Sequence, residues 1–297
     1  MAISLSLPSV MICAIQMLLS RLQTTRNLGV NGMSPGPAST GRRIPPARTG
    51  NGLVAALLSL SALALLAGCG GSSAKPVAQL PPNQIVTEAL AAARSKGSVH
   101  VDVSAAASQA VVRIVGVASP TVGRQVARGN DGAVMTELVR PGSTYVRGNA
   151  AGLTGFLGMS AKTASQLANR WLVLHAGNPN YQSITQGVTA DSILSSITPV
   201  GSLTKTKPEK VDRQSVVGVV GKAPSGSGMP LGATATLWVA ASGKPLPVAA
   251  EEVSGSTRFE VLFLRSSWGQ EVTGVSAPQG AVPYPAGLSS SSSGAGG

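Results

Sequence analysis

Apolar residues recur along this chain with two periods, and the switches between them mark its elements. After Pro81-Pro82-Asn83, the run QIVTEALAAARSK places Ile85, Ala89 and Ala92, or Val86, Leu90 and Ala93, at helical spacing. Asn83 is the expected N-cap and Gly97 the stop. The period then drops to two. Val99, Val101 and Val103 alternate with His100, Asp102 and Ser104, the pattern of a strand with one wet face. The run 109–117 is β-branched on both faces. Further strands are expected over 122–128, 133–140 and 144–147, separated by Gly-Asn-Asp-Gly and Pro-Gly turn signals. Short connections of this kind predict an antiparallel meander.

The middle of the chain reads differently. Residues 149–168 are small and moderately apolar, fit for one or two short helices, and 171–175 (WLVLH) reads as a short strand. Over 180–197, Ile184, Val188, Ile193, Leu194 and Ile197 lie at near-helical spacing, with Pro199 closing the segment. Strands return over 215–220, 233–240, 246–253 and 258–264. In the last, Phe259, Val261 and Phe263 face one way, and Glu260, Leu262 and Leu264 the other. Strands apolar on both faces imply a sheet covered on both sides, or one that lines an apolar cavity.

The ends of the chain are not globular sequence. Leu53–Leu66 is an uncharged, proline-free run of 14 residues, too short for the roughly 20 residues a membrane-crossing helix needs. Behind Arg42, Arg43 and Arg48 it fits the apolar core of a signal peptide. It ends in Leu66-Ala67-Gly68-Cys69, which resembles the lipobox of bacterial lipoproteins. That resemblance implies cleavage before Cys69, lipid on its thiol, and a protein held on the extracytoplasmic face of the cell membrane. Residues 1–52 read as a leader or as the product of a start codon placed too early, with Met33 the alternative start; 53–68 is the signal core and lipobox. Residues 69–82, small, polar and proline-rich, are expected to form a flexible tether with a reach on the order of 20 Å. One domain is expected over 83–284, and 285–297 is a Ser/Gly tail.

Setting aside 1–68 removes five arginines and no acids, which leaves 18 of the 23 basic residues against 11 acidic ones. The surplus is scattered, and the nine aromatics do not interleave with it as in a nucleic-acid interface. The only cysteines are Cys13 and Cys69, so the domain has neither disulfide nor thiol chemistry. Catalytic and metal motifs are equally sparse. His100 sits on a polar strand face and His175 before a loop, with no H-x-x-x-H or Cys/His grouping. Ser202-Leu203-Thr204-Lys205 matches S-x-x-K, but in a Lys-rich, exposed segment without a K-T-G partner. Neither an enzyme nor a cofactor is expected.

The stretch Thr234–Trp268 resembles the "T-x-W-V-D-x-x-T-G-L-P-V … F-S-x-W-G" hairpin and terminal strand of the mycobacterial lipid-binding lipoproteins of the LppX/LprG type. Trp238, Gly243, Pro245, Pro247, Trp268 and Gly269 match, although Lys244 and an added proline replace the usual turn. Asn169-Arg170-Trp171-Leu172 is similar to that family's "G-K-W-I" start of the middle strand, and the likeness spans Pro82 to Pro278. It implies an α+β fold in which a curved antiparallel half-barrel, akin to the carrier LolA, wraps around helices. It also implies a monomer that binds a lipid or lipidated ligand in the space between. Leu153, Phe156, Leu157, Leu167, Trp171, Ile184, Ile193 and Leu194 are then the expected cavity lining; Trp238 and Trp268 fit better as core or rim. The rival expectation is an interaction lipoprotein with a filled core that serves a cell-envelope transporter or enzyme. In either case Cys69→Ser should leave the domain folded but free it from membranes, because acylation contributes about 0.8 kcal/mol per buried CH₂. Unchanged membrane fractionation of the variant would refute the anchor.

Overall fold

The computed structural model describes residues 76–285 apart from 108, 109, 226, 228 and 264–267. The expected signal core, Cys69 and all but the first residue of the Ser/Gly tail lie outside the described residues. Helix α1 (Pro82–Arg94) leads into a five-stranded meander of β1 (Val99–Ala107), β2 (Ala110–Ala118), β3 (Gly123–Gly129), β4 (Val134–Arg140) and β5 (Ser143–Gly148). Helices α2 (Ala150–Leu157) and α3 (Ala161–Leu167), strand β6 (Leu172–His175), then α4 (Tyr181–Thr185) and α5 (Ala190–Ile197) make the insert. The chain returns through β7 (Val200–Lys205), β8 (Glu209–Val211), β9 (Gln214–Lys222), β10 (Thr234–Ala240), β11 (Pro247–Ser254) and β12 (Thr257–Leu262), and ends in β13 (Val282–Pro283).

The strands form one curved, unclosed sheet in the order β13-β6-β5-β4-β3-β2-β1-β12-β11-β10-β9-β7, with β8 paired to β9. All neighbours are antiparallel except β13 and β6. Because side chains alternate, the register lays residues in rows across each face. On the inner face one row runs Leu172, Val146, Glu137, Gln125, Gly116, Val101 from β6 to β1. Another joins Ala105, Phe259, Glu252, Ala235 and Gly221 from β1 to β9. Every described inner-face position of β1 is buried.

Two groups of helices cover this face. α1 and α5 lie over β10 and β11, with α1 also reaching β7 and β9, while α2 lies over β4 and β5, and α4 over β5. Among the described residues no helix comes as close to β1, β2, β3 or β12, so the boundary between the two groups runs above the middle of the sheet. The insert is pinned to the sheet at two points. At its start, the Asn149 side chain accepts from Gly152 N–H at 2.7 Å and Val134 N–H at 3.1 Å. Where its last helix begins, Ala190 N–H donates to Ser119 C=O at 2.9 Å, and the Val188 carbonyl rests on Gly123.

Several expectations are corrected. Asn83 lies inside α1; Pro81 holds the N-cap position with Pro82 at N1, where a missing N–H costs nothing. The last part of the presumed tether is docked: Val77 and Leu80 are buried in the core, and the Lys205 ammonium donates to the Ala78 and Leu80 carbonyls at 2.7 and 3.0 Å. His100 is not freely solvated, since its Nε2 is buried without a partner. Strands β7, β8 and β13, unanticipated, are short or largely exposed and lack a periodic signal.

A Cβ built on Gly123 would stand 1.9 Å from the Val188 carbonyl oxygen. Gly123→Ala must lift the segment before α5 from the sheet, and urea unfolding should show a loss of about 1–3 kcal/mol. An unchanged midpoint would mean that the insert does not bear on β3.

Candidate functional site

The inner face is greasy except at a few points. Met135, Val146, Leu172, Val101, Val103 and Ile114 are all buried, as the alternation of β1, β2, β4, β5 and β6 requires. Among them sit Gln125 and Glu137, directly opposite each other on β3 and β4 and both buried. The Gln125 amide donates to Glu137 Oε2; Glu137 Oε1 has no hydrogen-bond partner. Burial pushes the Glu137 carboxyl up to about 8, with the Gln125 amide drawing it partly back. Glu252, in the row between Phe259 and Ala235, is the second buried acid. Burial pushes it up to about 7; the nearby Ser227 hydroxyl draws it back in part without closing a hydrogen bond, and neither oxygen has a partner. Near pH 7 Glu137 is therefore mostly protonated and Glu252 about half so.

A cleft of about 100 Å³ opens where the end of α1 and the start of α5 meet the β2–β3 turn and Trp268. Ala93, Leu194 and Trp268 supply its apolar wall, and an Arg94–Asp191 ion pair at 3.0 Å stands on its rim. Trp268 stacks on Phe263 with ring centroids 5.2 Å apart and donates to the Pro247 carbonyl at 3.2 Å. The indole of Trp238 is only half-buried and donates to Glu209 at 2.7 Å.

Of the expected lining residues, Leu153, Phe156, Ile184, Ile193 and Leu194 are buried in the core cluster, with Leu157 and Leu167 packed against it. Trp171 is half-buried just before β6 and does not belong to that cluster. Leu194 alone among them borders the cleft. The two buried glutamates were not anticipated. In β4, residues on both faces are apolar, so nothing in the pattern separates Glu137 from an ordinary solvent-facing acid. Ser202 lies in exposed β7, and Lys205 is occupied by backbone carbonyls, so the S-x-x-K match assembles no nucleophile. Among the described residues no three His, Cys, Asp or Glu side chains gather as metal ligands, and no helix is long and apolar enough to cross a membrane.

No family model matches the chain, and no curated protein matches it. Solved structures do. The chain is similar in structure to the mycobacterial lipoproteins LprF and LppX. For LprF from Mycobacterium bovis the TM-score is 0.44 at 16% identity, over 65% of this chain and 94% of that one. For LppX from Mycobacterium tuberculosis it is 0.40 at 20% identity, over 64% and 96%. An uncharacterized conserved protein from Thermus thermophilus follows at 0.38 and 9% identity, over 68% and 97%. At scores this low no ligand carries over from these proteins to this chain.

The buried acids make stability depend on pH in a definite direction. Their folded values lie above the ordinary 4.5, so the native state retains protons that the unfolded chain releases. Their contribution is most favourable below about pH 4.5 and is lost as pH rises through 7 and 8. Between pH 5 and 8.5 the melting temperature should fall by on the order of 5 °C, and Glu137→Gln with Glu252→Gln should flatten the slope. A melting temperature that rises across this range contradicts the assignment.

Proposed function

We propose that this domain binds an apolar acyl-chain ligand between the sheet and its helices, at the outer side of the membrane to which lipid on Cys69 holds it. The observation that carries this reading is the divided helical cover. One group of helices leans on β4 and β5, the other on β7 and β9–β11, and the apolar middle of the sheet lies beneath the boundary. A ligand that parts the two groups meets Val101, Val103, Ala105, Ile114 and Ala127, side chains suited to methylene contacts and mostly small.

The cleft of about 100 Å³ is below the roughly 300–1,000 Å³ of small-molecule pockets, so loading requires the cover to move. The insert is built for that. Its helices are all short, α2 ending at Gly158 in the left-handed conformation (φ 66°) and α3 followed by Asn169 (φ 62°). Short helices owe their stability to packing, so each piece shifts without unravelling a long hydrogen-bonded cylinder.

The same small cleft favours the second reading, an interaction lipoprotein whose core is filled. Organic extracts of folded Cys69→Ala protein, analysed by mass spectrometry, separate the two. Co-purifying lipid above a denatured control supports the carrier; an empty extract, with no uptake of added acyl lipid, supports the interaction protein. Movement of the cover is tested with the Thr144 and Thr185 hydroxyls, 3.1 Å apart between β5 and α4. A Thr144→Cys, Thr185→Cys disulfide in the Cys69→Ala background should reduce lipid uptake at least about tenfold, with recovery on reduction. Equal uptake by the oxidised and reduced forms would exclude opening at α4.

A further inference from the structure

The row Leu172, Val146, Glu137, Gln125, Gly116, Val101 holds four apolar or side-chain-free positions and one polar pair. A buried carboxyl in such a row costs stability unless its hydrogen bonds are met. Here they are met by half. Gln125 serves Oε2, whereas Oε1 is shielded from solvent and has no partner. No lysine or arginine shares the row to neutralise an ionised form, and the cost of burial keeps the group protonated near pH 7.

The hydrogen-bond inventory then fixes what the free atom offers. In a neutral carboxyl one oxygen is a carbonyl acceptor and the other carries the proton. The carbonyl oxygen is the stronger acceptor, so with the Gln125 N–H on Oε2 the proton rests on Oε1. The unpartnered atom is a donor among apolar side chains, and it requires an acceptor that can itself enter a dry site. Hydrocarbon offers none. An ester carbonyl, flanked by acyl chain, does so with no charge to desolvate.

Resting on the lipid-binding reading above, we propose that Glu137, oriented by Gln125, is the polar anchor of the inner face and donates a hydrogen bond from Oε1 to an ester carbonyl of an acylated lipid. Glu137 selects esterified lipid over bare hydrocarbon and sets how far the ligand slides along the face. Gly116, next in the row, has no side chain to compete with Gln125: a Cβ there would stand 3.3 Å from the Gln125 Cβ.

The test compares methyl palmitate with heptadecane, each delivered from cyclodextrin to Cys69→Ala protein and quantified by native mass spectrometry. The parent protein should prefer the ester by about tenfold, the yield of one net hydrogen bond. Glu137→Leu should bind heptadecane as well as the parent does and lose the preference. Glu137→Gln, whose amide N–H can donate to the same carbonyl, should keep the preference to within about threefold. If Glu137→Leu retains the parent's preference, or Glu137→Gln loses it as fully as Glu137→Leu, the anchor is wrong while lipid binding stands. If the parent takes up neither compound, lipid binding itself fails and the anchor with it.

Discussion

Everything in this domain follows from the need to cover one face of a sheet that never closes on itself. A barrel satisfies its inner side chains against each other, but an open curved sheet needs another layer. The inner face carries valine, isoleucine, leucine and phenylalanine at nearly every row, each worth about 1.5–3 kcal/mol when removed from water. The protein meets that demand with several short helices from two separate parts of the chain. α1 comes from the N-terminal side and α2–α5 from between the two meanders, and α1 and α5 share the strands β10 and β11. The cover is held to the sheet at a few defined points: Asn149 on Val134, Val188 on Gly123, Thr185 on Thr144.

Such a cover has a different mechanical character from a long packed helix. A single amphipathic helix across the sheet would bury more area per joint and resist opening as a unit. A cover in short pieces separates the stability of the sheet, carried by its antiparallel ladders, from the stability of its lid. The C-terminal segment adds a further tie. After Trp268 bridges to Val99, the chain passes Gly269, bonded to the Ser98 carbonyl, and Gly274, close to Arg124, before Val282 joins β6. This strap links the start of β1 to β3 and to the edge strand β6, and through Trp268 it also borders the cleft at the ends of α1 and α5.

Much of this order was legible in the sequence, because most strands have one phase of alternation. Val99, Val101 and Val103 face inward as their spacing implied, and so do Phe259, Val261 and Phe263. The helical insert and the curved antiparallel sheet with helices on its inner face also match expectation. What escaped was set by tertiary contact. Strand β7 is exposed along most of its length, so it owes its existence to pairing with β9 and to the grip of Lys205 on the docked segment at Ala78 and Leu80. Asn83 looked like a cap because asparagine commonly caps, but the prolines before it already supply the conformation. Glu137 was invisible for the opposite reason. Met135, Leu138 and Val139 make β4 apolar on both faces, and where both phases are apolar an acid on either reads the same.

The two buried glutamates show where stability yields to something else. A leucine in place of Glu137 would complete a row that is otherwise apolar, and replacing buried polar groups with apolar ones of similar shape is often neutral or stabilising. The structure instead keeps a carboxyl, seats Gln125 to hold one of its oxygens, and leaves the other unsatisfied. A pair serving only the fold would close its hydrogen bonds internally, as Asp102 and Arg113 do on the outer face with 2.9 Å from Nε to Oδ1. The half-closed pair instead presents one oriented donor in a row whose other positions are apolar or carry no side chain. An inner face that was grease throughout would bind hydrocarbon in any register; one fixed donor defines a register, and with it a preference among ligands.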